Sequence, residues 1–176
     1  MKSCKHTRRA EWWCCARNKQ SLSISMLTIR TTSDHADFRQ LVALLDQDLG
    51  ARYGEAQAFY AQFNKLNTIQ HALVGFWENQ PVGCGAIRAF SADSVEIKRM
   101  FVLPALRGKG VAAAILSELE DWAAELGYSR CILETGDKQP EAIRLYQKSG
   151  YSVIPNFGQY AGDESSICME KKIQKR

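Results

Sequence analysis

Residues 106–115, LRGKGVAAAI, constrain the fold of this chain more than any other stretch. They place an arginine, two glycines and a lysine between an apolar extended run ending at Leu103 and an alanine-rich segment typical of a helix. Glycine lets the backbone approach an anion closely, and the first N–H groups of a helix lack helical partners. The helix dipole also attracts negative charge. The pattern indicates a loop that holds a phosphate group, and an ordinary strand-to-helix turn is the alternative.

Two familiar phosphate-binding motifs fit this stretch poorly. A P-loop needs Ser or Thr after its lysine to hold Mg²⁺, whereas Gly110 follows Lys109. A Rossmann fingerprint needs G-x-G-x-x-G near the start of a parallel sheet, whereas here the third position is Ala113 and antiparallel strands are predicted before it. Residues 107–112 have the form R-x-x-G-x-A instead, and such a loop can hold a pyrophosphate without a metal.

The hydrophobic periodicity predicts a mixed sheet with helices on its faces, in the order βααβββαβαββ. Strands are predicted at 26–33, 70–78, 81–90, 94–103, 129–135, 151–155 and 165–173. Helices are predicted from an N-cap at Asp34 to near Gly50, over 56–66, from Val111 to a cap at Gly127, and from Pro140 to Gly150. Asn79 and Gln80 are expected to join the second and third strands. We see no internal repeat and no second core.

Composition supports one domain with a separate basic extension. The chain has 176 residues, of which 45% are hydrophobic, enough for one ordinary core. Residues 1–25 hold six of its 23 basic residues but only one of its 19 acidic residues, Glu11, so the rest of the chain is nearly neutral. We therefore expect a disordered extension over 1–25 and a domain over 26–176 without a general nucleic-acid surface. A partner-binding or nucleic-acid-binding tail is the alternative for 1–25.

Cysteine usage and hydropathy indicate a cytoplasmic protein. Cys84, Cys131 and Cys168 occur singly in apolar surroundings, as buried thiols do in a reducing compartment. The cysteines and histidines lack metal-ligand spacing, so we expect no metal. Residues 1–25 lack the apolar run of a signal peptide, and no run is long enough for a membrane span. A transit peptide is the alternative reading of 1–25.

Two motifs together resemble the GCN5-related N-acetyltransferase (GNAT) superfamily. These are R-x-x-G-x-A after the fourth strand and AIRLYQKSGY about thirty residues later, and the resemblance covers about residues 26–172. It implies a three-layer sandwich with a splayed central sheet and acetyl-CoA as co-substrate. It also implies that the loop cradles the pyrophosphate of acetyl-CoA through Arg107, Gly108, Lys109, Gly110, Val111 and Ala112.

The fourth strand carries a further cofactor prediction. Ile97, Phe101 and Val102 can all be buried only if strict alternation breaks, which permits a β-bulge. By resemblance, this bulge splays the fourth and fifth strands and frees backbone groups for the pantetheine arm, with main-chain contacts from Phe101, Val102 and Leu103. Gln139 stands where family members commonly bind the cofactor through Asn, and the longer amide is its expected substitute.

Three side chains are predicted to carry the chemistry. By resemblance, Tyr146 donates a proton to the CoA sulfur, and a core aromatic is the alternative because Ile143 shares its helical face. Glu96 matches the general base of histone-type members, and a solvated strand carboxylate is the alternative. Glu134, which borders the same predicted cleft, contacts the substrate and is the second candidate base.

The acceptor site is predicted from residues on both sides of the cleft. Tyr160 lies in an aromatic-rich loop suited to covering an acceptor, and Tyr60 and Asn64, together with Phe63, would face it from the second helix. Lys98 and Arg99 favour an acidic substrate if they face the site. Charges on a strand are more often a solvated face, which is the alternative.

The resemblance implies an acetyl-CoA-dependent N-acetyltransferase. The acceptor is expected to be a primary amine of a small molecule or a peptide, attacked directly in a ternary complex. The expected assembly is a monomer or homodimer without nucleic-acid or membrane partners. A non-catalytic acyl-CoA-binding sensor is the alternative function.

Overall fold

Seven strands form one mixed sheet in the computed structural model, which describes residues 26–56, 66 and 69–174. The strands are β1 Leu27–Thr31, β2 His71–Trp77, β3 Gln80–Ala89, β4 Ser94–Val102, β5 Arg130–Gly136, β6 Ser152–Ile154 and β7 Ser166–Lys172. Their order across the sheet is β1-β2-β3-β4-β5-β7-β6. β4 and β5 run parallel, and the other neighbours among the described strands are antiparallel.

Three α-helices within the described residues cover the sheet: α1 Ala36–Tyr53, α2 Val111–Glu125 and α3 Pro140–Lys148. α2 follows Gly110 directly, and Pro140 opens α3, as the sequence predicts. The helix predicted over 56–66 falls almost entirely outside the described residues. No described helix combines the length and apolarity needed to cross a bilayer.

Element bounds differ from the sequence predictions mainly around α1. Asp34 is not the N-cap, because His35 occupies that position and α1 starts one residue later. The helix also continues past Gly50 to Tyr53, and Gly54 ends it with a φ of +56°. Side chains of the last turn explain this extension, since Arg52 bonds to the Lys138 carbonyl at 3.1 Å. These tertiary contacts offset the roughly 1 kcal/mol that a helical glycine costs.

The turn between β2 and β3 also corrects a prediction. Gln80 belongs to β3 and pairs with Trp77, so Glu78 and Asn79 form a two-residue turn. Their φ angles of +50° and +62° match the twist of a tight hairpin, which favours positive φ at both central positions. Asn79 suits that conformation better than most residues.

Each face of the sheet has its own core. On one face, α2 and α3 pack through residues such as Ile115, Leu119 and Tyr146. On the other face, α1 packs through Phe38 and Leu41 against the central strands. This arrangement of helix, sheet and helix is the predicted three-layer sandwich.

The sheet splits between β4 and β5. These strands pair only along Ser94–Ile97 and Arg130–Leu133, while β5 stays paired with β7 as far as Gly136. Beyond Ile97, β4 contains a bulge in which Arg99 and Met100 lie opposite the single residue Gly85. The bulge turns β4 away from β5, as predicted, and a gap opens between the two strands.

Candidate active site

A cavity of about 530 Å³ lies at the split between β4 and β5. Its lining comes from α1, the end of β4, the glycine loop, the start of α2, the end of β5 and α3. The predicted site residues that line it are Phe101, Val102, Arg107, Gly108, Gly110, Val111, Ala112, Glu134, Gln139 and Tyr146. The fold therefore brings most of the predicted cofactor residues together with two predicted chemical groups.

The glycine loop is open toward solvent and begins α2. Gly108 has a φ of +77° and Gly110, the N-cap, a φ of +84°, in the left-handed region that glycine adopts without strain. A Cβ added at either position would meet no atom within 4 Å. The first helical bond runs from the Ala114 N–H to the Gly110 carbonyl at 3.0 Å, so the preceding N–H groups lack helical partners. This open cradle of backbone donors fits a phosphate-bearing ligand.

Arg107 is held by a chain of ion pairs that sequence reasoning missed. Its Nη2 lies 3.2 Å from Asp48 Oδ2, and its Nε donates to the Val102 carbonyl at 3.1 Å. Asp48 also pairs with Arg52 at 3.3 Å, and Arg52 pairs with Glu141 at 2.6 Å. The chain thus connects the glycine loop through α1 to the start of α3. The i,i+4 spacing of Asp48 and Arg52 is the one part of it visible in the sequence.

Two predicted cofactor residues lie outside the cavity lining. Leu103 uses both backbone groups inside the protein, because its N–H donates to Val82 and its carbonyl accepts from Leu106, each at 2.9 Å. Lys109 is exposed at the tip of the loop. Contacts of these two residues with a cofactor stay predictions.

Tyr146 on α3 is buried and lines the cavity. Its ring meets that of Tyr151 edge-on, with 5.8 Å between centroids. Burial, and then the charge of Glu134, raise the pKa of its phenol well above the ordinary value. The phenol therefore carries its proton at neutral pH, as a proton donor must.

Glu134 lies near the end of β5 and lines the same cavity. Its Oε1 accepts a 2.7 Å hydrogen bond from the hydroxyl of Ser166. Burial raises the pKa of its carboxyl, while the Ser166 hydrogen bond and the charge of Lys98 oppose that rise. A carboxylate with a raised pKa is a better proton acceptor than an exposed one.

Glu96 is buried, with 1% of its surface exposed, so the alternative of a solvated carboxylate is wrong. One oxygen accepts from Arg88, and the other lies 3.2 Å from Lys98 Nζ. Glu96 is not among the residues that line the cavity. Its role as a general base stays a prediction.

Lys98 and Arg99 are also buried, which again excludes a solvated face. Lys98 Nζ lies 3.2 Å from the hydroxyl of Tyr160, and burial lowers the pKa of this amine. Tyr160 itself is 2% exposed and does not line the cavity. Its predicted contact with the acceptor stays a prediction.

The comparison with known proteins decides the family. Residues 38–151, well over half of the chain, match the model of the "Acetyltransferase (GNAT) family". The chain belongs to this family. An "IAA acetyltransferase" of Azospirillum brasilense is 37% identical to this GNAT chain over 142 residues, which cover 76% of the chain and 89% of the relative. The chain is accordingly an acyltransferase of the GNAT type.

Solved structures agree with the GNAT fold. An acyl-CoA N-acyltransferase from Klebsiella pneumoniae is 30% identical, with a TM-score of 0.71, and the match covers 84% of this chain and 97% of that one. A GNAT acetyltransferase from Elizabethkingia anophelis, solved with acetyl-CoA bound, has a TM-score of 0.63. It is 17% identical over 84% of this chain and 98% of its own, so it supports the fold alone.

The remaining predictions for this GNAT chain concern the second helix, a metal site and the cysteines. Tyr60, Phe63 and Asn64 fall outside the described residues. Within the described residues, no group of His, Cys, Asp and Glu is placed to hold a metal ion. The three cysteines of the described residues, Cys84, Cys131 and Cys168, are buried and form no disulfide, as predicted.

Proposed function

We propose that this chain transfers the acetyl group of acetyl-CoA to a primary amine of a small molecule or peptide, by direct attack in a ternary complex. The observation that carries the proposal is the cavity between β4 and β5. It joins the open glycine loop to Tyr146 and Glu134, so groups suited to anion binding and proton transfer share one space.

Acetyl-CoA supplies an acetyl thioester and an anionic pyrophosphate. The N–H groups at the start of α2 and the backbone of Gly108 and Gly110 would bind the pyrophosphate. The edge of β4 beyond Ile97, which β5 leaves unpaired, would bind the pantetheine arm through Phe101 and Val102. Membership of the GNAT acetyltransferase family, with an acetyltransferase relative that is 37% identical, supports acetyl-CoA as the donor here.

Glu134 is the proposed general base. It lines the cavity, whereas Glu96 does not, and both oxygens of Glu96 are already bonded to the cationic side chains of Arg88 and Lys98. The raised pKa of Glu134 suits it to take a proton from an ammonium acceptor, because a free amine is the nucleophile. Ser166 donates to one oxygen of Glu134, and the other oxygen is the proposed proton acceptor.

Tyr146 is the proposed general acid. Its phenol stays protonated at neutral pH, and the departing thiolate needs a proton. Because Tyr146 lies on α3, on the same side of the split as Glu134 on β5, the two groups can serve one reaction from adjoining positions.

Further proposals concern the whole protein. We propose a domain boundary at Met26, which is partly buried and packs against the core on the α2 face. Three buried free cysteines support a cytoplasmic location. A monomer or homodimer without nucleic-acid or membrane partners is the proposed assembly.

An amine screen tests the proposed function. The full chain is incubated with acetyl-CoA and a panel of small primary amines and peptides, while CoA release is followed with a thiol reagent and products by mass spectrometry. We expect equal amounts of free CoA and acetylated amine for some members. Binding of acetyl-CoA without CoA release above hydrolysis, across the panel, would contradict the proposal and favour a sensor.

A further inference from the structure

The bulge in β4 directs two consecutive cations to the cavity. Consecutive side chains of a regular strand point to opposite faces of the sheet. Lys98 and Arg99 nevertheless both line the cavity, because the bulge breaks the alternation between them. Arg99 is the residue that the bulge redirects.

The backbone of Arg99 is in an unfavourable conformation. Its φ is +57°, in the left-handed region that glycine adopts freely and that a long side chain seldom adopts. Cys84 reinforces this geometry, since its thiol lies 3.4 Å from the Arg99 carbonyl. Strained residues of this kind concentrate at binding and catalytic sites, where the side chain is needed in that place.

The guanidinium of Arg99 is buried, and one of its nitrogens has no partner among the described residues. Its side chain is 3% exposed, and Nη2 bonds to Asp46 Oδ1 at 2.6 Å. Nε has no hydrogen-bond partner among the described residues. The amine of Lys98, by contrast, already forms hydrogen bonds with Glu96 and Tyr160. A buried donor without a partner is costly, so an acceptor atom from a ligand bound at Nε would be stabilising.

We propose that Arg99 binds a carboxylate of the acetyl acceptor, so that the substrates are amino carboxylates. This inference rests on the proposed function. Arg99 on β4 and Glu134 on β5 line the same cavity from the two strands that separate, so one small molecule can place its carboxylate at Arg99 and its amine at Glu134. The planar guanidinium matches a carboxylate through two parallel hydrogen bonds.

The anionic part of acetyl-CoA does not account for Arg99. Its phosphates are assigned to the glycine loop at residues 107–112, whereas the arm along β4 is uncharged. Asp46, the existing partner, is half-exposed at 50% and occupies one nitrogen only. Nε, which has no partner among the described residues, is therefore available to a second carboxylate.

Matched pairs of acceptors test the assignment. Short ω-amino acids and α-amino acids are each compared with the corresponding amide, using the full chain, acetyl-CoA and kcat/KM for CoA release. We expect the carboxylate member to be preferred by roughly 10- to 100-fold, the value of one charge-assisted pair. Arg99→Gln should abolish the preference, and Arg99→Lys should retain part of it.

Asp46→Asn is the matched control. It removes the ion pair to α1 but leaves the guanidinium, so the preference for carboxylates should survive. If Asp46→Asn loses the preference for carboxylate acceptors as fully as Arg99→Gln does, the role of Arg99 is to hold α1 through Asp46, and the proposal is overturned. If Arg99→Gln does not fold, Arg99→Lys and Asp46→Asn decide the question between them.

Two results separate this inference from the proposed function. Acetylation of carboxylates and amides at equal rates would overturn the inference and leave the proposed function standing. If no amine releases CoA, the proposed function fails. Binding of amino acids then tests whether Arg99 recognises a carboxylate. In that case the amino acids should raise the melting temperature of the CoA-bound wild type but not of Arg99→Gln, and the absence of such a shift overturns the inference.

Discussion

Arg107 in the glycine loop and Asp48 on α1 form an ion pair within the proposed cofactor cavity, with Nη2 3.2 Å from Oδ2. The same carboxylate also pairs with Arg52. Asp48 therefore places a negative charge beside the loop that would bind a pyrophosphate. Under the proposed function, Asp48 and the pyrophosphate of acetyl-CoA would compete for the guanidinium of Arg107.

Asp48→Asn is expected to tighten acetyl-CoA binding by about two- to fivefold, because it removes the competing charge of a partly exposed pair. Isothermal titration calorimetry at low and moderate salt measures the change. Asp37→Asn, on the first turn of the same helix and outside the cavity lining, is the charge-matched control and should leave the affinity unchanged. A weaker affinity in Asp48→Asn would mean that the ion-pair chain helps to form the cofactor site.

Gly110→Ala should weaken acetyl-CoA binding by roughly tenfold or more, because the new Cβ keeps the pyrophosphate from the backbone donors. The left-handed φ of +84° adds about 1 kcal/mol of strain. Gly162→Ala is the control, since Gly162 has a φ of +81°, an equally open surrounding and a position outside the cavity lining. Equal effects of the two variants on affinity would favour an ordinary turn.

Tyr146→Phe should lower kcat by at least roughly 10²-fold, because the ring and its packing remain while the proton donor is lost. The affinity for acetyl-CoA should stay the same. Tyr151→Phe removes a hydroxyl from the neighbouring buried ring, which does not line the cavity, and should keep kcat near that of the wild type. A kcat for Tyr146→Phe within a few-fold of the wild type would make Tyr146 a core residue.

Glu134→Gln should abolish the acidic limb of the pH profile of kcat/KM, because the limb reports deprotonation of the base. That limb should lie above the ordinary carboxyl range, since burial raises the pKa of Glu134. The same shift makes the folded protein bind this proton more tightly than the unfolded chain, so stability falls as pH rises through the folded pKa. Glu134→Gln should consequently be at least as stable as the wild type at neutral pH.

Glu96→Gln should act differently from Glu134→Gln. Neutralising Glu96 leaves Arg88 and Lys98 without their carboxylate, which should destabilise the fold by roughly 3 kcal/mol. The acidic limb of the pH profile should persist in the protein that remains folded. Thermal melts and pH profiles of both variants distinguish the two glutamates, and loss of the limb in Glu96→Gln alone would transfer the role of base to Glu96.

A chain beginning at Met26 should fold and bind acetyl-CoA as the full chain does. Met26 packs against the core, and the pairing of β1 with β2 begins at Leu27, so every described strand lies within the shorter chain. Thermal melts and calorimetry on both lengths test the boundary. A loss of several degrees in melting temperature would show that residues 1–25 contribute to the fold.

Local features of the sequence predict the order of elements and the glycine loop. Alternation and helical spacing predict the described strands and helices to within about two residues, apart from the end of α1. Gly108 and Gly110 are visible as a loop because left-handed turns require glycine, which is a property of the backbone itself. The prediction that α1 ends near Gly50 was wrong because the last turn depends on contacts with distant residues, such as the hydrogen bond from Arg52 to the Lys138 carbonyl.

Only the tertiary structure decided how the charged residues of β4 are used. The sequence leaves Glu96, Lys98 and Arg99 open between a solvated face and a site, because periodicity carries no information about what covers the sheet. Residues far along the chain bury them: α1 places Asp46 against Arg99, and Tyr160 bonds to Lys98. The split of β4 from β5 then opens the cavity alongside Lys98 and Arg99, while Glu96 lies outside its lining. Burial and pairing are sums over such non-local contacts, which is the reason that a local pattern cannot predict them.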